Sequence, residues 1–164
     1  MKRTTKLRRL MAVGASICAV AAVGAGTASA DVSTNAVTKT FSFIAKPSSA
    51  TSTVVNIDSL LINARCDSSG RPVVFAFSTT TGPADIFGRI FDGYGRVHIF
   101  KHTSFTSKTK GIQLSPLSGD FDATGSVLFE TSTGKVVTVN IALDNSPTLV
   151  GQKVCTVFGS AIAT

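Results

Sequence analysis

The sequence predicts an all-β fold, an antiparallel β-sandwich of immunoglobulin- or jelly-roll-like kind held by one disulfide. Three observations predict it. Runs of Thr, Ser, Val, Ile and Phe alternate with clusters of Gly, Pro, Asn and Asp at short spacing. No stretch beyond the first thirty residues keeps a 3.6-residue apolar period. Two alternating runs, Leu60 to Cys66 and Lys153 to Ala161, each set a cysteine on one face. A partly open β-barrel is the alternative, because strand order is not legible at this level.

The first thirty residues read as an export signal. Lys2, Arg3, Lys6, Arg8 and Arg9 form a positive n-region, and Leu10 to Val23 an apolar h-region. Ala28-Ser29-Ala30 has the small-x-small pattern of a signal-peptidase site, so cleavage is expected between Ala30 and Asp31. A retained anchor is the rival, but a spanning helix needs about 20 apolar residues. No transmembrane segment is expected in the mature form. Arg8-Arg9 raises twin-arginine export, yet Leu10-Met11-Ala12 lacks the rest of that pattern, which favours the Sec route. Ile17 precedes Cys18 where a lipoprotein site needs a small residue, so Cys18 reads as h-region filler.

Cleavage changes the charge. Five of the sixteen Lys and Arg precede Ala30, whereas all nine acidic residues follow it. Eleven bases against nine acids leave the mature chain at +2 rather than +7. That balance gives no footprint for a nucleic-acid partner, which calls for a strongly basic domain.

Asp31 to Thr164 has the size of one domain with a single core, and no linker or repeated unit divides it. Val37 to Ala45 is the first expected strand, with Phe41 and Phe43 on one face. Val54 to Ile57 and Leu60 to Cys66 follow, as two strands or one bent at Asp58-Ser59. In the latter Leu60, Ile62, Ala64 and Cys66 share a face while Asn63 and Arg65 point away. Asp67-Ser68-Ser69-Gly70 turns the chain into a strand with Val73, Phe75 and Phe77 on one face. Ile86 to Phe91 leads through Asp92-Gly93-Tyr94-Gly95 into Arg96 to His102, the Asp-Gly pair reading as a hairpin with positive φ. Ser104 to Gly111 is polar and basic, a loop or sheet edge, and Ile112 to Leu114 a short strand ended by Pro116. Val127 to Glu130 and Lys135 to Leu143 form a second hairpin, with Val137, Val139, Ile141 and Leu143 inward. Asp144-Asn145-Ser146-Pro147 turns into the closing strand. Eight to ten strands result, and eleven Phe with one Tyr and no Trp are expected to supply the aromatic core.

Export places the chain in an oxidising compartment, where its two remaining cysteines, Cys66 and Cys155, are expected to pair. Two separately buried thiols are the alternative. The Ala/Gly-rich signal ending in Ala28-Ser29-Ala30 is followed by a cysteine after an early strand (Ala64-Arg65-Cys66). A second stands in the final strand (Val154-Cys155-Thr156-Val157-Phe158-Gly159). In that layout the whole chain resembles the small, exported, uncharacterised β-domain proteins of actinobacteria. The resemblance implies secretion and a one-disulfide β-fold, and it implies no activity or site residues.

Chemical motifs are sparse. Cys66 and Cys155 have no neighbouring Cys or His and make no zinc knuckle. His98 and His102, the only histidines, would stand about 13 Å apart along a strand, too far to share one ion. Asp120-Phe121-Asp122-Ala123-Thr124-Gly125 has part of a calcium loop but not its acidic series or closing Glu, so a capped turn is preferred. There is no Gly-x-Ser-x-Gly elbow, no His-Glu-x-x-His and no phosphate-cradling glycine loop. Glu130 is the sole Glu, where a glycosidase usually needs a carboxylate pair. Sugar platforms favour exposed Trp and Tyr, and only Tyr94 qualifies, at a turn tip where it can equally pack over its own hairpin.

The reading that survives is a non-enzymatic secreted protein, an interaction or cell-envelope-associated module. A hydrolase with a site near His98 and His102, or a small secreted inhibitor presenting a rigid loop, are the rivals. No cofactor, metal or catalytic residue is expected. The candidate binding patch is Tyr94, Arg96, His98, Lys101, His102, Lys108 and Lys110, a segment without acidic residues. Its partner would be an acidic cell-wall or matrix polymer, or another secreted protein. The preferred alternative for these charges is protection of a sheet edge against strand-on-strand aggregation.

Overall fold

Residues 36–117, 122–145 and 153–164 are described by the structure, a computed structural model. The export segment, the cleavage site at Ala30 and Asp31, and Asp120 of the expected capped turn lie outside them. Alternation of side chains builds ten strands in the described chain: β1 (Val37–Ala45), β2 (Ser52–Ile57), β3 (Leu60–Cys66), β4 (Pro72–Ser78), β5 (Ala84–Asp92), β6 (Val97–His102), β7 (Ile112–Gln113), β8 (Ala123–Thr131), β9 (Val136–Asp144) and β10 (Cys155–Ala163). Asp58 and Ser59 separate β2 from β3 as a tight turn, both with positive φ. The stretch expected as Val127 to Glu130 starts four residues earlier, because Ala123 to Ser126 continue the same ladder.

Two antiparallel sheets form, one in the order β1-β10-β9-β8-β5-β6 and the other β2-β3-β4-β7. Among the described residues no ladder joins one sheet to the other, so the sandwich is open and the barrel alternative does not hold. One face of each sheet is apolar and must bury it against the other. Leu60, Ile62, Ala64 and Cys66 point inward as expected, and so do Val137, Val139, Ile141 and Leu143 of β9. The two layers are stapled by Cys66–Cys155, with Cα atoms 5.8 Å apart, at the end of β3 and the start of β10.

The aromatic core needs correction. Among the described residues only Phe105 and Phe129 are wholly buried, stacked edge to face with centroids 6.3 Å apart, while Phe41, Phe43 and Phe100 pack against the core half-buried. The inner positions of β4 and β5 go to Val74, Ala76, Ile86 and Ile90, which leaves Phe75, Phe77, Phe87 and Phe91 in the outward phase. Phe105 sits in the segment expected to be a polar loop or edge. Its amide donates to the Ala84 carbonyl and Ser107 donates to Thr80, so the loop from β6 to β7 is pinned over the sandwich side.

Three hairpins share one turn. In 67–71 and 92–96 the sequence is Asp-x-x-Gly-Arg, and in 131–135 it is Thr-x-x-Gly-Lys. Each first residue accepts from the glycine amide through its carbonyl, and from the fifth residue's amide through its side chain. The glycine takes the left-handed φ in all three (Gly70, Gly95, Gly134). That is a three-residue loop closed by a glycine bulge. Gly95, rather than the Asp92-Gly93 pair, therefore supplies the positive φ that turns β5 into β6.

Candidate binding groove on the six-stranded sheet

The outward face of the six-stranded sheet follows from strand register. One row across it reads Val97, Phe91, Thr124, Ala142, Phe158 and Ser42 on successive strands. The next reads Ile99, Arg89, Ser126, Asn140, Ser160 and Thr40. Large side chains stand on β5 and β10, and small ones on β8 and β9 between them. The result is a groove of about 660 Å³, walled by Phe91 and Arg89 on one side and Phe158 on the other.

Backbone also lines it. Gly125, Ile141 and Gly159 occupy one inward row, and their chain lines the groove from outside. A Cβ at Gly125 would run into the Arg89 carbonyl and the Ile90 side chain, and one at Gly159 into the Asn140 carbonyl. Glycine inside a strand marks such a close approach. Phe41, the cross-strand partner of Gly159, lays its ring over it on the inner side.

Phe91 is 43% and Phe158 50% exposed, in a domain whose core is otherwise well closed. Phe87, Leu128 and Ile162 form a second apolar row, on the far side of the polar row of Arg89, Ser126, Asn140 and Ser160. Among the described residues Arg89 is the sole charged one lining the groove, and it makes no ion pair there. Asp85 and Glu130 lie cross-strand from each other towards one end of the face, and Asp144 towards the other.

The residues singled out from the sequence are placed elsewhere. Arg96 is committed to its turn: its Nε lies 2.8 Å from Asp92 Oδ2, and its guanidinium lies 5.2 Å from the centre of the Tyr94 ring. Tyr94 is 73% exposed at that tip. Asp92 has no exposed side-chain surface. Burial disfavours its charge, but hydrogen bonds from the Arg96 amide and guanidinium, that group's charge and the Tyr94 amide outweigh it. The carboxyl is held below the usual aspartate range. His98 faces the same carboxylate with Nε2 at 3.9 Å, beyond hydrogen-bond reach, and that buried nitrogen has no partner. Among the described residues no serine or threonine hydroxyl bonds His98, so a relay is not assembled there.

The lysines are dispersed. Lys101 pairs with Phe87 across β6 and β5 and faces outward on the six-stranded sheet, of which β6 is an edge. His102, next to it, is exposed in the inward phase. Lys110 lies beside Phe75 and Phe77 on the other sheet, and Lys108 is exposed in the loop between. Asp122 accepts from the Asn145 amide, and no group of three potential metal ligands occurs among the described residues. No helix there is long and apolar enough to cross a membrane.

The groove residues Arg89, Phe91 and Phe158 went unread in the sequence, although a signal exists. β5 is apolar in both phases, Ile86 and Ile90 in one and Phe87 and Phe91 in the other. An antiparallel strand with one solvated face should be apolar in one phase only. Compared with known proteins, the chain matches no family model, no curated protein and no solved structure.

Proposed function

We propose that the chain is an exported, non-enzymatic interaction module of the cell envelope, and that it binds through the groove between Phe91 and Phe158. The observation behind this reading is the placement of large apolar side chains outside a complete core. Phe87, Phe91 and Phe158 are left about half exposed, which forgoes roughly half of the ~1.5–3 kcal/mol that full burial of such a side chain contributes, a loss that a bound partner would offset. The positive n-region and the Ala28-Ser29-Ala30 site support export, and the Cys66–Cys155 bridge suits an oxidising compartment.

A binding assay on washed cell-envelope preparations tests it. The disulfide-intact protein should be retained, and the Phe91→Ser/Phe158→Ser variant should be lost to the supernatant while still unfolding cooperatively above the assay conditions. Equal retention of both proteins would remove the groove from the account. Turnover of an envelope substrate that disappears in His98→Ala would replace binding by catalysis.

A further inference from the structure

The groove's chemistry specifies a partner more closely, and this step rests on the binding reading above. We propose that it takes an acidic polysaccharide whose sugar rings bear carboxylates, laid across the strands from β5 to β10.

Three features of the site point there. The floor is polar: Thr124, Ser126, Asn140 and Ser160 line it, and none has a side-chain hydrogen bond to the protein among the described residues. An acyl chain would leave those groups desolvated and unpaired, at a cost of about 1–3 kcal/mol each, whereas sugar hydroxyls satisfy them. The walls are flat rings. Phe91 and Phe158 stand three strand spacings apart in one row, about 14 Å, so a ligand touching both is an oligomer. Arg89 shares its strand face with Phe91, two residues away, and its planar fork matches a carboxylate. A uronic-acid polymer sets ring and carboxylate together on every unit. A polyol phosphate offers charge without the ring.

Charge also sets direction. A polyanion running along the strands would meet Asp85 and Glu130 at one end or Asp144 at the other. Crossing the strands between the Phe91–Phe158 row and the Arg89–Ser160 row, it stays beside Arg89, and Asp122 and Asp144 border only the far side of the Phe91–Phe158 row.

Affinity electrophoresis and calorimetry with polygalacturonate oligomers test this, with a neutral galactan and polyphosphate as parallel probes. Polygalacturonate should bind, and binding should weaken steeply between about 0.05 and 0.5 M salt. Arg89→Gln should weaken it about tenfold and remove most of the salt dependence. Phe158→Ala should weaken it at least tenfold, whereas Lys108→Gln/Lys110→Gln leaves it unchanged. Unfolding midpoints and the intact disulfide verify folding in every variant. Galactan or polyphosphate bound as tightly as polygalacturonate would overturn this inference and leave the binding module standing. So would self-association that Phe158→Ala abolishes, which would assign the face to a second copy. No binding of any probe, together with envelope retention indifferent to the groove variants, would overturn both.

Discussion

Asp92 receives the Arg96 guanidinium on one carboxylate oxygen at 2.8 Å and the backbone amides of Tyr94 and Arg96 on the other. Asp67 holds Arg71 in the same way, with Nε at 2.6 Å and the Ser69 and Arg71 amides on its second oxygen. Two hairpins thus depend on an ionised aspartate. Burial disfavours each charge, and the surrounding donors more than compensate, so both carboxyls titrate below their ordinary value.

A depressed carboxyl pKa means that the unfolded chain binds more protons than the folded one in the acid range. The stability it confers is complete above the unfolded value, about pH 3.9, and is lost as pH falls through the folded value. Urea midpoints should therefore hold steady from neutral pH to about pH 5 and fall below about pH 4. In Asp67→Asn/Asp92→Asn the midpoint should be lower at neutral pH and its acid slope shallower. An unchanged slope would mean that the turns do not depend on the charges.

The Cys66–Cys155 bridge closes a loop spanning 89 positions of the chain. Chain entropy assigns such a closure roughly 4–5 kcal/mol, a large part of a typical margin of about 5–15 kcal/mol. The exported protein should gain two protons of mass on reduction, and Cys66→Ser/Cys155→Ser should unfold at much lower denaturant. Two thiols titrating in unfolded, unreduced protein would contradict the bridge.

Phe105 gives the loop between β6 and β7 its anchor, through its fully buried ring against Phe129. Phe105→Ala should cost about 3–5 kcal/mol. Lys108→Gln/Lys110→Gln in the same loop should stay within about 0.5 kcal/mol of wild type. Chemical denaturation separates the two, and a small loss in Phe105→Ala would make the loop an adjustable flap.

The alternation of β3 and β9 made the sandwich legible, because a strand with one apolar phase states which face is buried. The cysteines showed where the layers join for the same reason. Phe105 was hidden, since one apolar residue among Ser, Thr and Lys has no period to belong to. The turn Asp-x-x-Gly-Arg was hidden differently. Its Asp-Gly dipeptide at 92–93 imitates a two-residue turn, whereas the hydrogen bonds run from Asp92 to Gly95 and Arg96. The groove depends on which strands are neighbours: Phe91 and Phe158 lie far apart in sequence and meet one surface only because β8 and β9 stand between β5 and β10. Nothing local in the chain states that order.

Binding is proposed on the outer face of the six-stranded sheet and not at the basic segment from Tyr94 to Lys110. Amide nitrogen–proton correlation spectra, recorded while soluble acidic envelope polysaccharide is added, test this most directly. Shift changes should concentrate at 89–91, 124–126, 140–142 and 158–160, saturating together. Changes centred instead on Tyr94, Arg96, His98, His102, Lys108 and Lys110, with the groove amides unmoved, would contradict it.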